Sequence, residues 1–125
     1  MSVSPAARFS EYDPLQLFTL CITADYLFEV RRRTPEIYDA TVRISLISSF
    51  LGTLFLCRFA PLEVGDASGM NLMNIKTRKW DMKLLEVCGG PTLGEKLGEQ
   101  PLLGGTIIGQ IGAWWVRRYG FRPGI

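Results

Sequence analysis

Glu63-Val64-Gly65-Asp66-Ala67-Ser68-Gly69-Met70-Asn71-Leu72-Met73-Asn74-Ile75, followed by Lys76-Thr77-Arg78-Lys79-Trp80-Asp81, carries more structural information than any other stretch of this chain. Two glycines bracket an acidic residue and two small ones. Glycine tolerates positive φ and close backbone approach, so Gly65 and Gly69 predict a tight loop that presents Asp66 and Ser68. Met70, Leu72 and Ile75 then predict a strand, Lys76 to Lys79 a polar turn, and Trp80-Asp81 the start of a helix. A loop of small and acidic residues ahead of a strand fits the wall of a cleft. Asp66 is therefore the candidate site residue, able to orient a substrate hydroxyl or hold a metal. The competing role, an Asx-turn acceptor within its own loop, is the one that local sequence favours.

On either side of this stretch the chain punctuates itself clearly. Asp13-Pro14 reads as an N-cap followed by proline at the first helical position. A helical pattern runs from Leu15 to Arg33, with Leu20, Leu27 and Phe28 on its apolar stripe and Arg31-Arg32-Arg33 at the carbonyl end of the dipole. Thr34-Pro35 ends it and caps a short helix through Tyr38. Arg43 to Ile47 is expected as a strand, with a buried helix capped at Ser48 or Ser49 and reaching Cys57. Pro61 to Asp66 is expected as an extended connection. Downstream, Asp81 caps a helix holding Met82, Leu84, Leu85 and Val87, which Gly89-Gly90-Pro91 stops. Thr92 to Pro101 reads as loop, Gly105-Thr106-Ile107-Ile108-Gly109 as a short buried strand, and Gln110 to Tyr119 as a final helix ended by Gly120. Strands alternating with helices indicate the α/β class.

Composition bounds the functions available. A chain of 125 residues holds one domain. Counting glycine and leaving out tyrosine, roughly 54% of residues are apolar, against a usual figure of about 45–50%. A small domain should be more polar than average, so the excess points to surface buried against a partner or to a piece of a larger fold. Fourteen basic residues against twelve acidic ones give a net charge of +2, too even for a polyanion binder, and no nucleic-acid partner is expected. The absence of histidine excludes Ser-His-Asp and Cys-His nucleophiles and His-ligated metals within the chain. Cys21, Cys57 and Cys88, odd in number and with no C-x-x-C pair, suit buried thiols in a reducing cytosol. Met1 to Ser10 lacks the order of a signal peptide. The apolar run Ile44 to Cys57 is short of the about 20 residues that span a bilayer, so no membrane segment is expected.

Several motifs have bland explanations that outweigh the functional ones. Arg31 to Arg33 lacks the interleaved aromatics of a nucleic-acid patch and reads as a solvated helix end. Gly104-Gly105-Thr106 with Gly109 lacks both the P-loop ending and the G-x-G-x-x-G spacing, so a turn before a strand is expected. Trp114 and Trp115 diverge by about 100° on a helix, which predicts one core tryptophan and one at a surface or interface.

The Glu63–Ile75 stretch, with Trp80-Asp81 and Leu84-Leu85 behind it, resembles xylulose kinases of the FGGY carbohydrate kinase family. Thr34-Pro35-Glu36-Ile37-Tyr38 and Arg43-Ile44-Ser45-Leu46-Ile47-Ser48-Ser49-Phe50-Leu51 resemble the family's preceding segment. Gly105 to Gly109 and Arg118-Tyr119-Gly120-Phe121 resemble the following one. The form with Gly69-Met70-Asn71-Leu72 is similar to the eukaryotic branch. The likeness runs over residues 23–125, while residues 1–22 do not match the family.

The resemblance implies the later part of an N-terminal domain of the ribonuclease H-like, actin-like fold, incomplete here. It implies a cytoplasmic phosphotransferase that uses ATP and Mg²⁺ to phosphorylate D-xylulose, an aspartate base deprotonating the sugar hydroxyl that attacks the γ-phosphate. It places that base in a Gly-Asp-Asn-like motif beyond Ile125, so no catalytic residue is expected in this chain and Asp66 is not assigned that role. A sugar-contacting arginine of the family opens an Arg-Phe-Thr segment, and the residues aligned with it here are Cys21-Ile22-Thr23. The expectation is thus a kinase-derived chain that binds neither ATP nor Mg²⁺ well and is inactive alone. The alternative is a non-catalytic interaction module built from the same fold, and a third possibility is membrane association through Ile44–Cys57.

Overall fold

The computed structural model describes residues 14–125, with side chains from residue 23 onward. The chain begins with a long helix, α1 (Pro14–Arg33), whose last turn carries Arg31, Arg32 and Arg33 as the dipole prefers. Arg32 and Arg33 both bond to the Glu29 carboxylate one turn back. The expected cap at Asp13 lies outside the described residues. Thr34 does not cap the next helix, α2 (Pro35–Ala40); its hydroxyl turns back to the Val30 carbonyl and closes α1 instead.

Helix α3 (Ile47–Leu56) follows an extended segment and ends at Cys57, which takes the left-handed conformation with φ 54°. Next come α4 (Val64–Gly69) and a minimal hairpin of β1 (Met73–Asn74) and β2 (Lys79–Trp80), antiparallel with Met73 opposite Trp80. The Asn74 side chain accepts from the Lys76 and Thr77 amides and so builds the turn. Helices α5 (Met82–Gly89), α6 (Leu93–Leu97) and α7 (Ala113–Tyr119) complete the chain.

Asp81 caps α5 as expected, its carboxylate accepting from the Lys83 and Leu84 amides. Gly90, at φ 75°, ends that helix. Gly89 has a second reason to be glycine: a Cβ there would sit 2.5 Å from the Tyr38 hydroxyl, which donates to the Gly89 carbonyl at 2.8 Å.

One core holds this together. Ala24 and Leu27 of α1 meet Ala67 and Met70 around α4, Leu72, Met73 and Trp80 of the hairpin region, and Leu85, Cys88, Leu93 and Leu97 of α5 and α6. Each fully buried leucine contributes about 1.5–3 kcal/mol relative to exposure. The hairpin is pinned from outside by residues 99 and 100, the Trp80 indole donating to the Glu99 carbonyl and the Trp80 amide to the Gln100 side chain.

The α/β expectation holds only coarsely: among the described residues the chain is mostly helical with one two-stranded sheet. Arg43 to Ile47 is not a strand. Its neighbour is not a second extended segment but the end of α6, where Ile44 donates to the Lys96 carbonyl, while the Arg43 guanidinium bonds the Ala60 carbonyl. Gly105 to Gly109 forms no strand either and is not buried, with Ile107 91% exposed. Gly105 (φ 79°) and Gly109 (φ 152°) break the extended run, and no strand runs beside it among the described residues.

Val64–Gly69 is a helix rather than a loop, and neither Gly65 nor Gly69 uses positive φ; Asn71 takes the left-handed position instead, at φ 57°. Part of the expected Thr92–Pro101 loop is helix α6. No helix among the described residues is long and apolar enough to cross a membrane.

Candidate functional site

The opening of α4 is set by Glu63. Its carboxylate accepts from the Gly65 amide at 2.7 Å and the Asp66 amide at 3.2 Å, supplying the partners that the first amides of a helix lack. The Gly65 N–H, foremost, and those of Asp66, Gly104 and Val64 hold the Glu63 carboxyl below the usual carboxylate range, and desolvation offsets part of this. The same residue anchors the far end of the chain through an isolated parallel bridge. Val64 donates to the Leu102 carbonyl at 2.8 Å and Leu102 donates to the Leu62 carbonyl at 2.9 Å. Residues 103–106 are thereby brought alongside the start of α4.

Across from them lies the N-terminal turn of α3. The Ser48 hydroxyl donates to Oδ2 of Asp66, tying α3 to α4. Between these three pieces is an open cavity of about 170 Å³, walled by Ser48, Glu63, Asp66, Gly104 and Thr106 with Gly52 and Ile108 behind. The stretch read as a cleft wall does therefore line a cleft. Asp66 is not an acceptor within its own loop: it sits in the first turn of a helix, half-buried, and serves a hydroxyl from another element.

Chemically the cleft offers carboxylate oxygens and hydroxyls, a set suited to hydrogen-bonding a polyhydroxylated ligand. Its groups already satisfy one another to a large degree. Asp66 Oδ2 is engaged by Ser48, Glu63 Oε2 by two amides and the Thr106 hydroxyl by the Leu103 carbonyl, while Ser68 does not line the cavity and its hydroxyl donates to the Gly65 carbonyl. Among the described residues no three Asp, Glu, Cys or His side chains gather into a metal-binding set. The amides at the start of α4 and α5 are occupied by Glu63 and Asp81. The carboxylates that line the described cleft are Glu63 and Asp66, both already engaged within the chain.

Glu63 was not singled out in the sequence, because glutamate is not among the preferred capping residues. Its only signal was position, ahead of a run of small residues. Ser48 or Ser49 was expected to cap α3; instead α3 has no side-chain cap, the Ser48 hydroxyl reaching Asp66 and the Ser49 hydroxyl the Leu46 carbonyl. Gly104-Gly105 does form a turn, with no strand after it.

The two adjacent tryptophans divide differently from expectation. Trp114 is 48% exposed, and Trp115 is half-buried in an aromatic group with Phe55, Tyr119 and Phe121, its indole donating to the Leu54 carbonyl. The core tryptophan is Trp80. Of the thiols expected to be buried, Cys88 is buried and Cys57 is exposed, the latter because it occupies the left-handed cap of α3 at the surface. The Cys21 side chain lies outside the described residues.

No protein-family model matches the chain. Among curated proteins it is 48% identical over 103 residues to the probable D-xylulose kinase A of Aspergillus flavus, covering 79% of this chain and 18% of that protein. It is 44% identical over 105 residues to the D-xylulose kinase A of Aspergillus niger, covering 81% of this chain and 18% of the relative. The xylulose kinase of Rattus norvegicus is 41% identical over 102 residues, 82% of this chain and 19% of its own length. The chain thus spans about a fifth of the length of the curated relatives it matches.

Proposed function

We propose that this chain is part of the machinery of a D-xylulose kinase, a phosphotransferase that moves the γ-phosphate of ATP to D-xylulose in the presence of Mg²⁺. The observation that carries this is the 41–48% identity to proteins named as D-xylulose or xylulose kinases, sustained over about four-fifths of the chain. Residues 23–125 then correspond to the later part of a first domain with a ribonuclease H-like fold, acting in the cytoplasm. The general base, the nucleotide site and the metal site belong to other polypeptide in this reading.

Within that reading Asp66 is a substrate-side positioning residue and not a catalytic one. Its carboxylate accepts from Ser48, and the residue lines the cleft. It sets the spacing of α3 and α4 and, through them, the shape of the sugar pocket in the complete enzyme.

A chimera tests both parts. The matched stretch of the Aspergillus niger D-xylulose kinase A is replaced by the corresponding residues of this chain, and ADP formation is followed with ATP, Mg²⁺ and D-xylulose. The expected result is xylulose-dependent turnover by the chimera and none above background from the isolated chain. Asp66→Asn in the chimera should raise KM more than it lowers kcat, since it alters pocket shape and not the proton transfer. A folded, monodisperse chimera without turnover would sink the kinase reading. Robust turnover by the isolated chain would sink the assignment of the base elsewhere.

The exposed apolar surface of α3 favours one other reading, a non-catalytic binding module made from the same fold. An inactive chimera together with a tight protein complex of the isolated chain would support it.

A further inference from the structure

Helix α3 is oriented backwards for a self-contained domain. Ile47, Phe50, Leu51, Leu54 and Phe55 follow the i, i+3, i+4, i+7, i+8 spacing of a core-facing stripe, yet the first four point outward, with Ile47 88% and Phe50 54% exposed, while Phe55 at the end packs on Trp115 and Phe121. The face turned inward is small and polar. Ser49 is buried and its hydroxyl donates to the Leu46 carbonyl; Thr53 donates to the Ser49 carbonyl and accepts from the Ala60 amide. Gly52 is pressed against Ala60, where a Cβ would meet the Ala60 methyl at 3.3 Å. The inner face is thus fully bonded and closely packed, so the helix cannot roll over to bury its stripe without breaking those contacts.

Beside the stripe runs a groove of about 350 Å³ between Ile47, Phe50 and Phe59, with Arg43 in its wall. The Arg43 guanidinium lies over the Phe59 ring, 5.5 Å from its centroid. It donates to the Ala60 carbonyl and feels the Glu99 carboxylate at longer range, while the close ion pairs among the described residues are those of Glu29 with Arg32 and Arg33. Arg58 stands at the other end of α3, and the helix itself carries no charge.

We infer that this stripe and groove form an interface for the polypeptide of a D-xylulose kinase that lies outside the stretch this chain matches. That polypeptide presents an apolar surface bordered by carboxylates. The identity of the occupant rests on the kinase reading above. A match covering 79% of the chain takes in α3 wherever the match begins, and it lies within proteins of which it makes up 18%. A concave groove with an arginine in its wall suits a protein ridge with an acidic edge.

The test places single cysteines at Phe50→Cys, Leu54→Cys and, as a control on a different exposed surface, Met82→Cys. Labelling by a maleimide is located by mass spectrometry in the free chain and in the Aspergillus niger chimera. The stripe cysteines should react fast in the free chain and about tenfold or more slowly in the chimera, whereas Met82→Cys reacts alike in both. Equal reactivity of the stripe in both proteins would overturn the inference. So would slow labelling in the free chain accompanied by a dimer on light scattering, which makes a second copy the occupant. Protection of the free chain by phosphatidylcholine–phosphatidylserine vesicles would assign the face to lipid and overturn it equally.

Should the chimera misfold, co-purification of the chain with the Aspergillus niger kinase lacking the matched stretch gives a second readout. Recovery should be lost with Phe50→Asp plus Leu54→Asp and kept with Met82→Asp; loss or retention in both alike overturns the inference. Labelling reads the interface and turnover reads the kinase assignment, so either can fail while the other stands.

Discussion

Lys96 carries its ammonium group into a position where only 8% of the residue meets solvent. It is tolerated there because Nζ donates to the Thr41 carbonyl at 2.7 Å and the Asp39 carbonyl at 3.4 Å, and lies 5.1 Å from the centre of the Tyr38 ring. Those carbonyls are at the end of α2, where the helix has no partners of its own and where a positive charge is favourable. Lys96→Met keeps the packing volume and leaves both carbonyls unbonded. It should lower stability by about 2 kcal/mol, seen as a lower urea midpoint with an unchanged slope.

Glu63 makes a second prediction at this scale. Its carboxyl is held low in the folded protein by the amides it accepts from. Its contribution is therefore complete above the ordinary glutamate value of about 4.3 and is lost as pH falls through the lowered folded value. Glu63→Gln should lower the midpoint most at neutral pH, where the contribution is complete, and should flatten the acid limb below about pH 4.3, where variant and parent converge. Neither role was legible in the sequence. Lysine in a five-residue helix looks like a surface residue, and glutamate ahead of Val64 looks like linker; each acquires its function from carbonyls or amides that the fold delivers.

At the scale of elements, α5 was readable from both ends because its signals are local. Asp81 meets amides two and three residues on, and Gly90 needs only its own backbone freedom. The two expected strands failed for the opposite reason. β-branched and apolar residues favour an extended backbone, but a strand exists only where a second one lies beside it, and neither 43–47 nor 105–109 has one among the described residues. Helix α4 was hidden because its glycines suggested a turn, while the property that stabilises it, the Glu63 cap, belongs to a residue type seldom found there.

Helix α3 was located correctly and its burial was read wrongly, since the stripe predicts a covered face without saying which polypeptide covers it. A pair of truncations separates the two kinds of leucine. Leu85→Ala, in the core at 2% exposure, should cost about 2–5 kcal/mol. Leu51→Ala, 51% exposed on α3, should change the denaturation midpoint by no more than about 0.5 kcal/mol equivalent.

For the molecule as a whole, the core draws on α1, α4, the hairpin, α5 and α6, and α7 contributes no buried residue at all. The candidate cleft sits on the seam between that core and the outer layer of α3, α7 and residues 103–112. Its walls were visible in the sequence as a glycine-bracketed acidic stretch, but its other half, Ser48 and residues 104–106, could be assigned only once the Glu63–Leu102 bridge had joined segments 39 residues apart.

That bridge has a consequence in time. Residues 103–119 are attached to the rest of the chain, α3 included, by a handful of long-range bonds: the pair flanking Glu63 and Leu102, the Arg58 guanidinium on the Ile108 carbonyl, the Gly112 amide on the Phe55 carbonyl, and the Trp115 indole on the Leu54 carbonyl. With so few buried contacts behind them, these bonds should open together and often. Amide hydrogens of residues 103–119 should therefore exchange with deuterium well before those of α5, in a subglobal opening whose free energy falls below that of complete unfolding. Exchange followed by mass spectrometry would give a single late-exchanging class for α5 and an early one for α7. Uniform protection across both would mean that the outer layer and the core unfold as one.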